Sequence, residues 1–271
     1  MRHQQLLDAV TDGVQRVEDL AQALGISPST VRRGLTELEQ AGKVVRTHGG
    51  AVPAITGTEL SWTQKSLRNA QPKRQIAAFA AGLVRDDDVV LLDAGSTTTF
   101  IAERLAGRSG PTVVTTGLGP MTALHDAEGI ELIVVGGRVR RRRGSMVGDY
   151  ARGVLDRITA DIAFIGADGY VPGRGVNCPG PELAAVKELQ MRSARRTVVV
   201  ADSSKVGRTE FAHWAVVPGP HELVTDDGLP EDARGALDAD PGCIPHVVPA
   251  TGSPGAAGAA DRPQERGTPW N

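Results

Sequence analysis

The run SPSTVRRGLTELEQAGKVVRTHGGA, residues 27–51, divides at Gly42 into a capped helix and a small hairpin. Ser27 is a good N-cap, and Pro28 follows at the first helical position, where a missing N–H costs nothing. Val31, Leu35 and Leu38 recur at helical spacing and form one inner face. Residues 43–46 and 47–52 then read as two short strands whose turn uses the backbone freedom of Gly49 and Gly50. Working outward, Val17, Leu20, Ala21 and Leu24 mark an earlier helix closed by Gly25, and Leu6, Leu7 and Val10 a first one that stops at Asp12-Gly13. Three short helices and a hairpin in this order are the plan of a winged helix-turn-helix.

In such a module the third helix enters the major groove. Its outer face here carries Ser29, Thr30, Arg32, Arg33 and Thr36, with Ser27 at its start, so hydroxyl and guanidinium groups can reach phosphates and base edges. Lys43, Arg46 and His48 add positive or protonatable groups on the wing. Two arginines alone read as well as a solvated helix face. The combination of cap, helix and wing points to DNA.

The chain has 271 residues, enough for a small domain and a larger one. Lys and Arg number 30 against 32 Asp and Glu, a net charge of -2, so DNA contact has to come from a local patch. Cys178 and Cys243 form neither a disulfide framework nor a C-x-x-C metal spacing, which fits a reducing cytoplasm. The opening residues lack the apolar core of a signal peptide, and no apolar run is long enough to span a bilayer. A cytosolic protein with no cofactor and no metal is expected.

Beyond a weakly periodic stretch at 53–72, the pattern alternates. A helix is expected over 72–85, a strand at Val89–Leu92, a helix over 98–106 and a strand at Thr112–Thr115. More strands are expected at 130–135, 162–165, 198–201 and 222–225, with helices between most of them. This is an α/β domain with a mostly parallel sheet covered on both faces. Residues 249–271 are rich in Gly, Ala and Pro and are expected to be disordered. The expected division is a reading head over 1–56, a linker over 57–71, an α/β domain over 72–248 and a tail over 249–271.

Several strands end in loops suited to a small anion. After Val89–Leu92 come Asp93, Ala94, Gly95, Ser96, Thr97 and Thr98, small and hydroxylic residues at a helix N-terminus. Alone, this reads equally as an ordinary capped turn. Gly136-Gly137-Arg138, Gly166-Ala167-Asp168-Gly169 and Asp202-Ser203-Ser204-Lys205 follow other strands and should converge at the carboxyl edge of the sheet. Arg138 and Lys205 can neutralise phosphate, and Asp168 and Asp202 can accept from sugar hydroxyls. The arginine run at 140–143 is expected on the surface. A crevice packed full by the chain's own side chains would exclude a ligand there.

Residues 27–51 closely resemble the DNA-binding segment of DeoR-family repressors, an S-x-x-T-[IV]-R-R-D-L helix followed by an R-x-H-G-G-A wing. Gly34 departs from that pattern, standing where the family carries Asp; glycine inside a helix costs about 1 kcal/mol relative to alanine, and the lost carboxylate is expected to alter how Arg33 is held. The strand-end loops, with KRQIA at 73–77 and AVK at 185–187, extend the resemblance over 72–248. It implies a sensor domain similar to ribose-5-phosphate isomerase, and a phosphorylated sugar as effector. LDAGSTT would hold the phosphate, and GADG, Lys187 and DSSK would surround the sugar. Thr116 and Leu183 depart from the usual Asn and Glu.

The resemblance implies a repressor of carbohydrate-metabolism genes, released from its operator by the metabolite. A single helix-turn-helix reads few base pairs, so a dimer or tetramer joined through the sensor is expected. The alternative is a sugar-phosphate isomerase carrying a DNA module, since Asp168, Glu182, Lys187 and Lys205 include acid–base groups. An enzyme gains nothing evident from the N-terminal head, so no catalytic residue is assigned. The same parts also permit activation.

Overall fold

A computed structural model describes residues 2–11, 14, 16–40, 44–47, 49–53 and 62–250. Lys43, His48, Gly42 and the tail beyond residue 250 lie outside the described residues.

The head consists of α1 (Arg2–Thr11), α2 (Val17–Leu24), α3 (Pro28–Gln40), β1 (Val44–Thr47) and β2 (Gly50–Pro53), the two strands pairing antiparallel. Leu6, Val10, Leu20, Val31, Leu35 and Val44 meet in one core, as the helical spacing requires. Gly25 closes α2 in the left-handed region, with φ of 62°. The Thr30 amide donates to Ser27 Oγ at 3.2 Å, so Ser27 is the cap of α3. Gly34 is buried, and a Cβ built on it would lie 2.7 Å from Leu6 Cδ2. It therefore lets α1 approach α3 closely. Arg33 is held by a different carboxylate, its Nε lying 3.3 Å from Glu37 Oε1.

The larger part runs α4 (Trp62–Leu67), α5 (Ala70–Gly82), β3 (Val89–Leu92), α6 (Ser96–Leu105), β4 (Thr112–Thr115), α7 (Leu118–Leu124) and β5 (Glu131–Val134). A hairpin of β6 (Arg138–Arg140) and β7 (Ser145–Val147) leads to α8 (Asp149–Leu155) and β8 (Ala160–Gly166). Next come β9 (Gly169–Val171), β10 (Gly175–Cys178), α9 (Pro181–Arg192), β11 (Ala194–Val200) and a 3-10 turn at Ser203–Lys205. The last elements are β12 (His213–Ala215), β13 (His221–Asp226), α10 (Glu231–Asp238) and β14 (Cys243–Val248).

Seven strands form one sheet in the order β14-β13-β11-β8-β3-β4-β5, every pair parallel. Successive residues point to opposite faces, so Leu91 joins one core with Leu155, Val186 and Leu237, while Val90 and Leu92 join the other with Ile76, Ile101 and Leu124. Both faces are thus covered by helices, the α/β architecture expected. The helix α4 is a departure from expectation. At six residues it is too short to persist alone, and tertiary bonds described below hold it. The hairpin β6–β7 and the small antiparallel sheet β12-β10-β9, of strands of three or four residues, and strand β14, interrupted by Pro245 and His246, carry too little apolar pattern to be read in the sequence. Among the described residues no helix is long and apolar enough to cross a membrane.

Candidate functional site

Strand β3 lies between β8 and β4, so the chain leaves it in one direction along the sheet and later returns on its other side. Such a reversal leaves a crevice outside the carboxyl ends of the two strands. The loops after β3 and β8 meet there.

The crevice wall is an ion pair. Asp93 is fully buried and pairs with Lys187 of α9; its Oδ2 also accepts the Gly166 amide at 3.1 Å. Lys187 Nζ donates in turn to the Gly166 carbonyl at 2.7 Å. This knot ties β3, β8 and α9 together, and it places Gly95, Ser96 and Thr97 opposite Gly166, Ala167 and Asp168. The Thr98 and Thr99 hydroxyls turn back onto the Gly95 carbonyl at 3.0 and 2.7 Å, so Thr98 serves its own helix. Ser145, at the start of β7, lines the same cleft; its hydroxyl is buried and has no hydrogen-bond partner among the described residues. Nothing in the sequence around it signalled that position.

Two cations enter the cleft from outside the strand ends. Arg143 grips Asp168 with both terminal nitrogens, at 3.0 and 3.3 Å, and Lys65 of α4 pairs with the same carboxylate. The side chain of Arg143 is only 13% exposed, which corrects the expectation that the whole arginine run lies on the surface. The hairpin explains it: the chain leaves β5 at the sheet edge and returns to the cleft only at Arg143 and Ser145. Lys65 and Arg143 fill the cleft to water-sized gaps, so it excludes anything larger unless these two arms leave Asp168.

Other expected residues lie elsewhere. Gly136, Gly137 and Arg138 do not line the cleft; Arg138 pairs with Glu182 on the surface. Ser203 anchors its loop, its amide and hydroxyl each donating to Asp226 at 2.7 Å. Asp202, Ser204 and Lys205 face an adjoining compartment that also holds Lys73 and Arg208. Asp202 accepts from Asn69 Nδ2 at 2.8 Å and meets Lys205 Nζ at 3.3 Å. Burial alone would raise its pKa, but Lys205, the Ser204 hydroxyl and Lys73 outweigh it and hold the carboxyl well below the usual range. Burial, then the repulsion of Lys205, brings Lys73 down to about 7. Burial followed by Arg143 lowers Lys65, and burial also lowers Lys205.

On the reading helix, Ser29, Thr30, Arg32, Arg33 and Thr36 are all exposed. Arg32 Nη2 lies 3.4 Å from Glu18, and the Thr36 hydroxyl donates to the Arg32 carbonyl at 3.0 Å. Surface pairs of this kind are weak and exchange readily for phosphate. Ser27 is committed to its cap. Arg46 is half-buried, with Nη1 lacking a hydrogen-bond partner among the described residues.

A helical head with a polar, arginine-bearing third helix, followed by an α/β domain with a cationic cleft, is the plan of a transcription regulator. Residues 2–55 match the model of the DeoR-like helix-turn-helix domain, and residues 68–227 match that of the DeoR C terminal sensor domain. The chain belongs to the DeoR family of transcription regulators. It is 34% identical over 240 residues to the HTH-type transcriptional regulator GlpR of Haloferax volcanii, covering 88% of this chain and 94% of that protein. It is 33% identical over 240 residues to the putative aga operon transcriptional repressor of Escherichia coli O157:H7, covering 87% and 89%. Superposition on ribose 5-phosphate isomerase A of Methanocaldococcus jannaschii gives a TM-score of 0.39 at 24% identity, over 51% of this chain and 54% of that one. A likeness at that level says nothing of activity. The protein is a transcription regulator, as both matched domains and the regulator relatives have it.

Proposed function

We propose that the protein is a cytoplasmic repressor of carbohydrate-metabolism genes, released from a double-stranded DNA operator when a phosphorylated sugar enters the β3/β8 cleft. One observation carries this reading: the α6 N-terminus, the unpartnered Ser145 hydroxyl and the cations Arg143, Lys187 and Lys205 face a single crevice. Helix dipole, hydroxyl donor and positive charge together suit a phosphate. The relative described as a putative aga operon transcriptional repressor supports the sign of regulation. The DNA-binding residues are Ser29, Thr30, Arg32, Arg33, Thr36 and Arg46; those of the effector are Gly95, Ser96, Thr97, Asp168 and Lys205, joined by Ser145, Arg143 and Lys65.

Release needs a mechanical link, and the segment around α4 supplies one. The Trp62 amide donates to the Arg142 carbonyl at 2.9 Å, Lys65 pairs with Asp168, and Asn69 reaches Asp202 and Ser204 at 2.8 and 3.1 Å. Three loops of the sensor are thus bonded to the stretch that follows the head. An incoming phosphate competes with Asp168 for Lys65 and Arg143, so it has a different affinity for the clamped and released forms, which is what coupling requires. In this scheme residues 1–56 read DNA, 57–71 relay, 72–248 sense and pair into a homodimer or tetramer, and 249–271 form a tail.

The test uses the full chain and DNA that the protein itself selects from a random pool. Phosphorylated sugars, and not their free counterparts, should raise the melting temperature by mass action and dissociate the DNA. Lys205→Ala should bind DNA yet ignore the metabolite. Release by free sugars alone, or normal release of Lys205→Ala, would overturn the assignment.

A further inference from the structure

Lys65, Arg143, Asp168 and Lys205 line both the cleft and the compartment beside it and form the wall between them, so an anion that draws Lys65 and Arg143 from Asp168 would join the two. Lys73, from the KRQIA stretch of α5, lines this compartment and not the cleft and is 1% exposed. Its ammonium donates to two neutral acceptors, the carbonyls of Lys65 and Arg68, each at 2.5 Å. No carboxylate of the described residues lies within ion-pairing distance of it. A lysine has three donors, so one remains for the compartment.

Asp202 draws on this charge from a distance, but burial and the repulsion of Lys205, Arg68 and Arg143 outweigh it. Asp202 is already held by Lys205, Ser204 and Asn69, and Arg208 is taken by Glu210 at 2.8 Å. Lys205 and Arg143 repel Lys73, which shares with burial in bringing it down to about 7. A buried cation whose only counter-charge lies beyond ion-pairing distance opposes the resting fold, and a bound anion reduces that penalty. The start of α6 stands differently: it has a helix N-terminus and the unpartnered, buried Ser145 hydroxyl as donors. Two groups of donors thus lie on either side of the wall formed by Lys65, Arg143, Asp168 and Lys205.

We propose that Lys73, Lys205 and Arg208 form a second anion subsite, and that the effector is a small sugar-like compound with an anionic group at each end. One group docks at the start of α6 beside Ser145, the other between Lys73 and Arg208. The second group is a phosphate or a carboxylate, since the same donors bind either. This inference rests on the effector reading given above and narrows it from any phosphorylated sugar to a sugar bisphosphate or a phosphorylated sugar acid.

The test is calorimetric titration of the full-length protein with matched probes: hexose and pentose monophosphates, the corresponding 1,6- and 1,5-bisphosphates, and phosphorylated sugar acids. The best doubly anionic probe should bind at least about 10-fold more tightly than the best monophosphate. Lys73→Met and Arg208→Gln should each abolish that advantage while leaving monophosphate affinity within about 2-fold. Two variants guard against one that fails to fold. Ser96→Asp should weaken both kinds of probe by placing a carboxylate at the start of α6. Bisphosphates and sugar acids that differ in advantage identify the second group. Monophosphates binding as tightly as any doubly anionic probe would overturn the second subsite and leave the effector reading standing; no binding by any sugar phosphate would overturn both.

Discussion

The ammonium of Lys65 on α4 pairs with the carboxylate of Asp168 at the end of β8, joining the segment that follows the reading head to the wall of the sensor cleft. Arg143 holds the same carboxylate from the β6–β7 hairpin. A single acidic residue therefore gathers two cations from elements that are otherwise apart. Its state bears on the position of α4, and an anion that draws either cation away loosens that helix.

Lys65→Met should leave Asp168 with Arg143 and remove one of the bonds that hold α4 to the cleft, the Trp62 amide keeping its own to Arg142. This imitates the displacement of Lys65 by an anion, so DNA affinity without metabolite should fall, and sugar-phosphate affinity should fall as well because Lys65 lines the cleft. Unchanged DNA affinity in a titration without metabolite would locate the coupling elsewhere.

Arg32→Ala should weaken binding to selected DNA by about 1–3 kcal/mol if the guanidinium reads a base, or lower the salt slope by about 1 if it contacts a phosphate. Sensor melting should be unaffected, because Arg32 is exposed and paired only with Glu18. Identical affinity and slope across a salt series would remove Arg32 from the reading face.

Gly34→Asp, which restores the residue usual in the family, should destabilise this particular head. The new Cβ meets Leu6 Cδ2 at 2.7 Å, and the carboxylate enters a buried position. A cost of about 1–3 kcal/mol is expected, outweighing the gain of replacing a helical glycine. Thermal unfolding measures it, and Leu6→Ala in the same chain should recover part of the loss.

Lys187→Met should be far more damaging than its pocket position suggests, since it strands the buried Asp93 carboxylate. A loss of about 3–5 kcal/mol is expected, and Asp93→Asn combined with Lys187→Met should be less unstable than Lys187→Met alone. Denaturant titration of the three variants decides it. Additive losses would mean that the two residues do not act as a pair.

Sulfate, whose charge is constant near neutrality, should bind less tightly as pH rises through about 7, because Lys73 then loses its proton. The sign for stability is the opposite. Between about 7 and its usual value near 10.5 the unfolded chain holds a proton that the folded chain does not, so stability should rise with pH across that window. Lys205 and Lys65 are lowered in the same direction, so the part belonging to Lys73 is the part that Lys73→Met removes. A sulfate affinity that is flat from pH 6 to 8 in the wild type would count against this assignment.

The reading head was legible because its signals are local. Ser27, Pro28, Gly25 and the Val31, Leu35, Leu38 stripe act within a turn or two of themselves. Gly34 shows the limit: its meaning lies in Leu6, on another helix. The strands β3, β4, β8, β11 and β13 were likewise visible as apolar runs, whereas β14, with Pro245 and His246 in its middle, is a strand only because β13 lies beside it.

Part of the cleft followed from the strand-end loops, since a parallel sheet carries all of them to one edge, and this brought Gly95, Thr97, Asp168 and Lys205 together. Arg138 failed the same inference because β5 is the outermost strand and its loop points away into a hairpin. By itself, the sequence determined the helices of the head, the main parallel strands, and which local groups suit DNA or an anion, because backbone propensity and apolar spacing act at short range. Only the tertiary structure decided that Lys65, Lys73, Arg143 and Ser145 face the cleft and its neighbour. Long side chains reach across several ångströms, and what they meet depends on which distant elements the fold sets against them.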